Sequence, residues 1–363
     1  MREIHSVALA EEAQIGAARR AVHYYAHAQN FTERGLAEID LVVQEIGTNA
    51  FRYAEKVASA AGGPVLHYTT PLAGGRRGLE LFYWDKGPGI YNLDRVVRDG
   101  VSTGGSLGGG FGAIGRQMDQ FEIYSTVRTT GRLALSSIHQ RYSTHGTAVL
   151  CRKWAEGWAA DQQAPPASAA IGAWSRPRVG ETYNGDAYFI GERGAQTLYA
   201  VTDGLGHGLG AKQAAEAANA TLNEWAAGES LEEIFLSVHQ ALRATRGAVM
   251  GAIVVDRGAR QISYAGVGNI DVRLVTGDAN PPARLLSTNG TLGLRFDKVR
   301  VWMAEWPAAP SFAVLTTDGV SLNWDDKSYP GLLERDPQIL AGILLRDYGR
   351  DNDDATALVV RLD

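Results

Sequence analysis

The chain has 363 residues, of which 45% are hydrophobic and 21% charged, with a formal net charge of −5. Such a length and composition suit a folded protein with two cores, and the acidic balance argues against nucleic acid as a partner. Cys151 is the one cysteine, so no internal disulfide can form and a cytoplasmic setting is expected. The first twenty residues carry Arg2, Glu3, Glu11, Glu12, Arg19 and Arg20 with no apolar run, so no signal peptide is expected. Apolar runs such as 247–255 are too short to span a bilayer, so no membrane partner is expected. The charge is uneven: residues 1–153 hold 17 Lys+Arg against 14 Asp+Glu, and the rest holds 18 against 26.

Residues 4–9 alternate and predict an edge strand; 11–28 are Ala-rich and predict a helix. A second helix is expected over 32–55, with Thr32 as N-cap and Leu36, Ile39, Val43, Ile46 and Ala50 as its apolar stripe. Glu45, Asn49 and Tyr53 share one face of it. Strands are expected at 65–70 and 79–85, joined by a turn at 74–78. The second strand ends at Asp85, ahead of Gly87 and Gly89, which leaves a carboxylate at the mouth of the sheet. Seven glycines then cluster between Gly104 and Gly115, and helical character resumes over 113–118. A Gly-rich loop opening a helix can cradle phosphate through its N–H groups. Strands at 121–126, 133–140 and 146–154 close this half. Taken singly, each signal has a plain structural reading: an exposed polar pair, a turn, a surface loop.

The order Glu-x-x-x-Asn, Asp-x-Gly-x-Gly, Gly-rich loop, then Gly-Thr on a strand resembles the GHKL ATP-binding fold over residues 1–154. DGVST-GG-LGGG-F-G and RQMDQFEI are similar to the RsbT-type switch kinases. The resemblance implies a two-layer α/β sandwich that binds ATP. Asn49 would hold Mg²⁺, Glu45 would act as general base, and Asp85 would accept from the adenine amino group. Gly87 and Gly89 would pass close to the base, and Gly105, Gly108, Gly110 and Gly112 would line the phosphates. Ser102 and Thr103 would lie on a lid, and Thr147 would support the adenine pocket. Phosphoryl transfer needs mainly positioning and charge neutralisation, which such a set supplies.

Residues 155–173 are rich in Ala, Gln and Pro and read as a linker. Beyond it, strands are expected at 174–179, 186–191 and 197–202, the last running into Asp203-Gly-Leu-Gly-His-Gly. Helices follow over 209–226 and from the Ser230-x-x-Glu233 capping box to 245. Strands at 248–256, 261–267 and 271–275 read as one meander. A strand at 312–317 stops at Asp318-Gly, a short helix covers 337–347, and Asp353-Asp354 lead into the last strand. Acidic residues thus sit at the ends of several strands, where hard divalent ions could find oxygen ligands; any one of them alone reads as a turn residue.

NGDAYF, VTDGLGHG, RGAVMGAIVV, GVGN, TTDGVS and DDATALVV resemble the SpoIIE/RsbX branch of the metal-dependent PPM Ser/Thr phosphatases over residues 174–363. This implies an αββα sandwich whose Asp186 and Asp203 bridge two Mn²⁺ or Mg²⁺ ions, with the Gly204 carbonyl, Asp318 and Asp353 completing the set. Water would attack the phosphoserine phosphorus in line. His207 is a general-acid candidate in the bare chemistry, but the resemblance carries no role to it. The fold class expected is therefore α/β (α+β), with a kinase domain at 1–154 and a phosphatase domain at 174–363. The partner implied is a STAS-domain antagonist of a bacterial partner-switching system, as in stressosomes. The alternative function is a phosphatase whose first domain binds ATP and sequesters a regulator without phosphorylating it.

Overall fold

The computed structural model describes residues 2–54, 63–72, 77–97, 110–127, 145–156, 171–276, 283–304, 306, 311–321 and 323–362. The chain forms two compact units. One gathers Arg2–Ala167 and Asp325–Ile339; the other gathers Ser168–Trp324 and Leu340–Asp363.

The first unit begins with β1 (His5–Ala8) and α1 (Glu12–Ala28), whose entry is fixed by the Gln14 side chain accepting from the Glu11 N–H. In α2 (Glu33–Tyr53) the Thr32 hydroxyl accepts from Gly35 N–H, and the expected stripe from Leu36 to Ala50 is buried. Gly47 lets α2 lie against α1, since a Cβ there would come 2.8 Å from Ile15 Cγ2. Next come β2 (Val65–Thr69), β3 (Gly78–Asp85), the short α3 (Leu93–Val97), α4 (Gly110–Gln117), β4 (Gln120–Thr126) and β5 (Gly146–Trp154). The strands form one antiparallel sheet in the order β1-β2-β3-β5-β4, with β1 at the edge as expected. One sheet face buries Leu81, Val149 and Ile123 against Ile39 and Val43 of α2, giving the two layers. On the opposite face the alternate residues Glu80, Phe82, Trp84, Leu150 and Arg152 are also buried. The turn at 74–78 falls largely outside the described residues, and the strand at 133–140 lies wholly outside them.

The second unit holds two five-stranded antiparallel sheets. In chain order its strands are β6 (Ile171–Arg176), β7 (Asp186–Arg193), β8 (Gln196–Gly204), β9 (Ala248–Asp256), β10 (Gln261–Val267), β11 (Asp271–Thr276), β12 (Ala283–Leu285), β13 (Trp302–Ala304), β14 (Ser311–Thr316) and β15 (Ala355–Arg361). One sheet runs β13-β10-β9-β8-β7 and the other β12-β11-β14-β15-β6. They approach closely enough that a Cβ on Gly251 of β9 would sit 2.7 Å from Ile270 Cγ2 and 3.3 Å from Val272 Cγ2 of β11. Helices α5 (Leu209–Asn223) and α6 (Leu231–Ala241) bury Ala214, Ala218, Phe235 and Val238 against the first sheet. The Ser230–Glu233 capping box is present. Helix α7 (Pro337–Tyr348) starts among the residues grouped with the first unit.

Two expectations need correction. The segment 271–275 does not extend a meander: β11 lies in the second sheet, and β10 takes β13 as its other neighbour. Gly268, at φ 91°, turns the chain at that crossing. The strand expected at 174–179 spans Ile171–Arg176, so it begins inside the apparent linker.

Candidate functional sites

In the first unit, β3 carries Asp85 to the sheet end, where it is buried. Its Oδ1 accepts from Gly87 N–H at 2.6 Å and from Thr147 N–H at 3.3 Å, and its Oδ2 accepts from the Tyr83 hydroxyl at 2.6 Å. The carboxylate is thus aimed before any ligand arrives. Gly87 packs against the end of α2: a Cβ there would lie 3.2 Å from the Tyr53 carbonyl oxygen. Gly89 has φ 79°, and a Cβ would strike the Thr126 carbonyl, so only glycine fits. The next residue, Ile90, donates its N–H to Ser125 Oγ at 2.8 Å. That hydroxyl in turn donates to the Gly146 carbonyl at 3.0 Å and stands 3.1 Å from Thr147 Oγ1. His145 Nδ1 lies 2.7 Å from the Gly87 carbonyl oxygen. Ser125, Tyr83 and His145 were not singled out from sequence; they flank motif residues but carry no spacing of their own.

Glu45 and Asn49 occupy the α2 face expected, both half-buried. Asn49 Nδ2 is buried with no hydrogen-bond partner. A carboxamide turned by 180° offers its oxygen at that edge, so the orphan is a fit for an ion or a nucleotide contact. Gly110, at φ 52°, opens α4, and Gly112 is buried within it. Ser102, Thr103, Gly105 and Gly108 lie outside the described residues.

In the second unit, Asp186 and Asp203 stand opposite one another in the β7–β8 register. Asp186 is buried, and its Oδ2 accepts from Thr317 Oγ1 at 2.7 Å. Burial first, then Asp203 and Asp354, push its pKa well above the carboxylate range against the easing hydrogen bond from Thr317. Asp203 is pushed up to about 8 by burial and by Asp318, Asp353 and Asp354. Burial and Asp353 also raise Asp318. The expected carboxylates therefore share one electrostatic neighbourhood at one end of the sandwich, where Arg350 offsets part of the repulsion on Asp318. Asp354 takes a supporting part: its Oδ1 accepts from Arg178 N–H at 2.8 Å and its Oδ2 from Gly185 N–H at 2.9 Å. Gly204 closes β8, and no Cβ could fit there against the Ala211 backbone. Thr317, missed in the sequence, immediately precedes Asp318 in the TTDG run. His207 pairs with Glu181 at 2.9 Å on the surface.

The oxygen-rich, mutually repelling donor set fits hard divalent cations in its chemistry. Among the described residues, no three His, Cys, Asp or Glu side chains stand close enough together to hold a metal ion as placed. No described helix is long and apolar enough to cross a membrane.

A family model for the histidine kinase-like ATPase domain matches residues 8–135. The serine/threonine-protein kinase RsbT of Bacillus subtilis (strain 168) is 30% identical over 125 residues, covering 34% of this chain and 89% of RsbT. The chain belongs to the RsbT-type histidine kinase-like ATPase family. Its second half is similar to the phosphoserine phosphatase RsbX of the same organism, 28% identical over 147 residues, covering 40% of this chain and 71% of RsbX. A solved structure of RsbX in complex with magnesium covers 53% of this chain and 94% of its own at 24% identity and a TM-score of 0.46. A chain from a structure titled for the bacterial stressosome covers 53% of this chain and 98% of its own, at 30% identity and a TM-score of 0.49. An RsbT-type kinase-like unit is thus joined in one polypeptide to a unit similar to the phosphatase RsbX.

Proposed function

We propose that the chain is a bifunctional enzyme that phosphorylates a Ser or Thr on a STAS-domain regulator and removes phosphate from one. The observation that carries this reading is the Asp186–Asp203 pair, held in register and lifted in pKa by burial and by neighbouring carboxylates. Clustered uncompensated carboxylates at strand ends are costly unless a cation uses them.

In the kinase-like unit, residues 1–154, Asp85 orients the adenine and Asn49 offers its amide to Mg²⁺. Glu45 accepts the proton of the attacking Ser or Thr hydroxyl while that hydroxyl's oxygen bonds to the γ-phosphorus, the bond to the β,γ-bridging oxygen breaks and ADP leaves. Ser102, Thr103, Gly105, Gly108, Gly110 and Gly112 are assigned to the phosphates. In the phosphatase unit, residues 174–363, Asp186, Asp203, Asp318, Asp353 and the Gly204 carbonyl would hold divalent ions, Mg²⁺ or Mn²⁺. Such ions supply charge neutralisation and a more acidic water. Thr317 and Asp354 keep Asp186 and the Gly185 backbone in place. Opposed activities in one chain act on a shared substrate at raised local concentration.

The test is phosphosite mapping of a STAS-domain partner incubated with the full chain, Mg-ATP and Mn²⁺. Wild type should add and remove phosphate on the same residue. Glu45→Gln should lose the gain while nucleotide binding survives, and Asp203→Asn should let phosphate accumulate. If Glu45→Gln leaves phosphorylation as it was, the first unit is not the kinase proposed here. If it never phosphorylates, the sequestering module described above takes its place.

A further inference from the structure

Residues 325–339 belong to the first unit although they lie far along the chain, beyond most strands of the second. Their anchor is Asp336. Its Oδ2 accepts from Arg152 Nη1 at 2.6 Å and its Oδ1 from Arg152 Nη2 at 3.2 Å, a two-pronged pair. Arg152 is buried on β5 and also donates from Nε to Glu80 Oε2 at 2.7 Å, while Glu80 Oε1 accepts from Arg2 at 2.8 Å. Four charges therefore alternate in a row across the outer sheet face. Strand β4 supplies the rest of the grip. Glu122 accepts from Asp336 N–H at 3.1 Å and pairs with Arg335 at 3.6 Å, and the Tyr124 hydroxyl donates to the Pro330 carbonyl at 3.2 Å.

The gripped strands carry the nucleotide-site braces. Tyr124 and Glu122 point outward from β4, and the next residue, Ser125, holds Ile90 and the Gly146 carbonyl on the other side. Arg152 lies on β5, the strand whose Thr147 N–H reaches Asp85. We propose that residues 325–339 are a brace for the nucleotide site of the first unit, with Asp336 and Arg152 as positioning residues. The proposal rests on the nucleotide-binding reading given above. It adds that nucleotide affinity depends on a segment encoded within the phosphatase half.

The experiment uses full-length chain: wild type, Asp336→Ala, Asp336→Asn and Asp336→Glu. Asp336 Oδ1 also accepts from Gln338 N–H at 2.8 Å, so Asn keeps that cap while removing the charge, and Glu restores the charge. Affinity for fluorescent mant-ADP is read beside hydrogen exchange at Ile90 and Thr147. Hydrolysis of p-nitrophenyl phosphate reports that the second unit is intact. Asp336→Ala should weaken mant-ADP by about fivefold or more and speed exchange at both amides. Asn should fall near Ala, and Glu should recover much of the affinity. Wild-type binding with all three variants within twofold of it overturns the brace, whatever the exchange shows. Failure of the wild type to bind mant-ADP overturns the nucleotide reading itself, and the two failures are told apart by that control.

Discussion

A buried carboxylate with an elevated pKa has a stability signature of its own. Asp203 holds its proton to about pH 8 in the folded chain, against an ordinary value of 3.8. Between those values the folded state binds a proton that the unfolded chain has released, so stability falls as pH rises and the loss is complete above about 8. Melting in chelator should therefore occur at lower temperature at pH 9 than at pH 6, and Asp203→Asn should flatten that fall. Divalent ion should reverse it, and by more at the higher pH, where protons no longer compete. Gly89→Ala should cost roughly 2 kcal/mol or more, because left-handed backbone and a clash with the Thr126 carbonyl add together; a denaturant titration and the affinity for ADP check it. The positions of the motif residues were legible in the sequence, since Asp85, Asp186, Asp203 and Asp318 each lie within two residues of a strand end and within two of a glycine. Their partners were not. Thr317, Ser125 and Tyr83 are common residue types with no spacing signal, and only folding shows which oxygen each one holds.

Elements with strong periodicity or an explicit cap followed the chain's own chemistry. The Thr32 cap and the Leu36–Ala50 stripe place α2, and α2 carries Glu45 and Asn49 roughly three and a half and four and a half turns beyond the cap. The capping box at Ser230 sets the start of α6, with Ser230 and Glu233 exchanging hydrogen bonds in both directions. Ser230→Ala should cost about 1 kcal/mol, read as a lower denaturation midpoint with phosphatase turnover unchanged. Helix α3 was missed because five residues are too few to show a helical repeat. The misassigned third strand of the meander has a different cause. Alternation tells which residues of β11 face inward, but both sheets of a sandwich share one interior, so the pattern is the same whichever sheet the strand joins. Only the turn at Gly268 and the pairing of β11 with β14 decide it.

At the level of the whole molecule, the sequence divides into two blocks of motifs, but the compact units are not contiguous blocks. Nothing in the composition of 325–339 marks it as foreign to its surroundings; its destination depends on an ion pair to Arg152, 184 positions away. The outer face of the first sheet tells a complementary story: Phe82, Trp84, Leu150 and Tyr124 are buried there although the two helices that form the second layer pack on the other side. A fragment ending at Trp154 should therefore bind a hydrophobic dye such as ANS and self-associate, whereas the full chain should do neither; dye fluorescence and sedimentation check this.

The same arrangement sets a timetable for biosynthesis. A ribosome adds about 5–20 residues per second, so the stretch between Trp154 and Ile339 takes roughly 10–40 s to emerge. Throughout that interval the early-made ATPase half stands without the late-made piece that Arg152 grips. Premature termination in the downstream region would therefore leave both units unfinished, not just the later one.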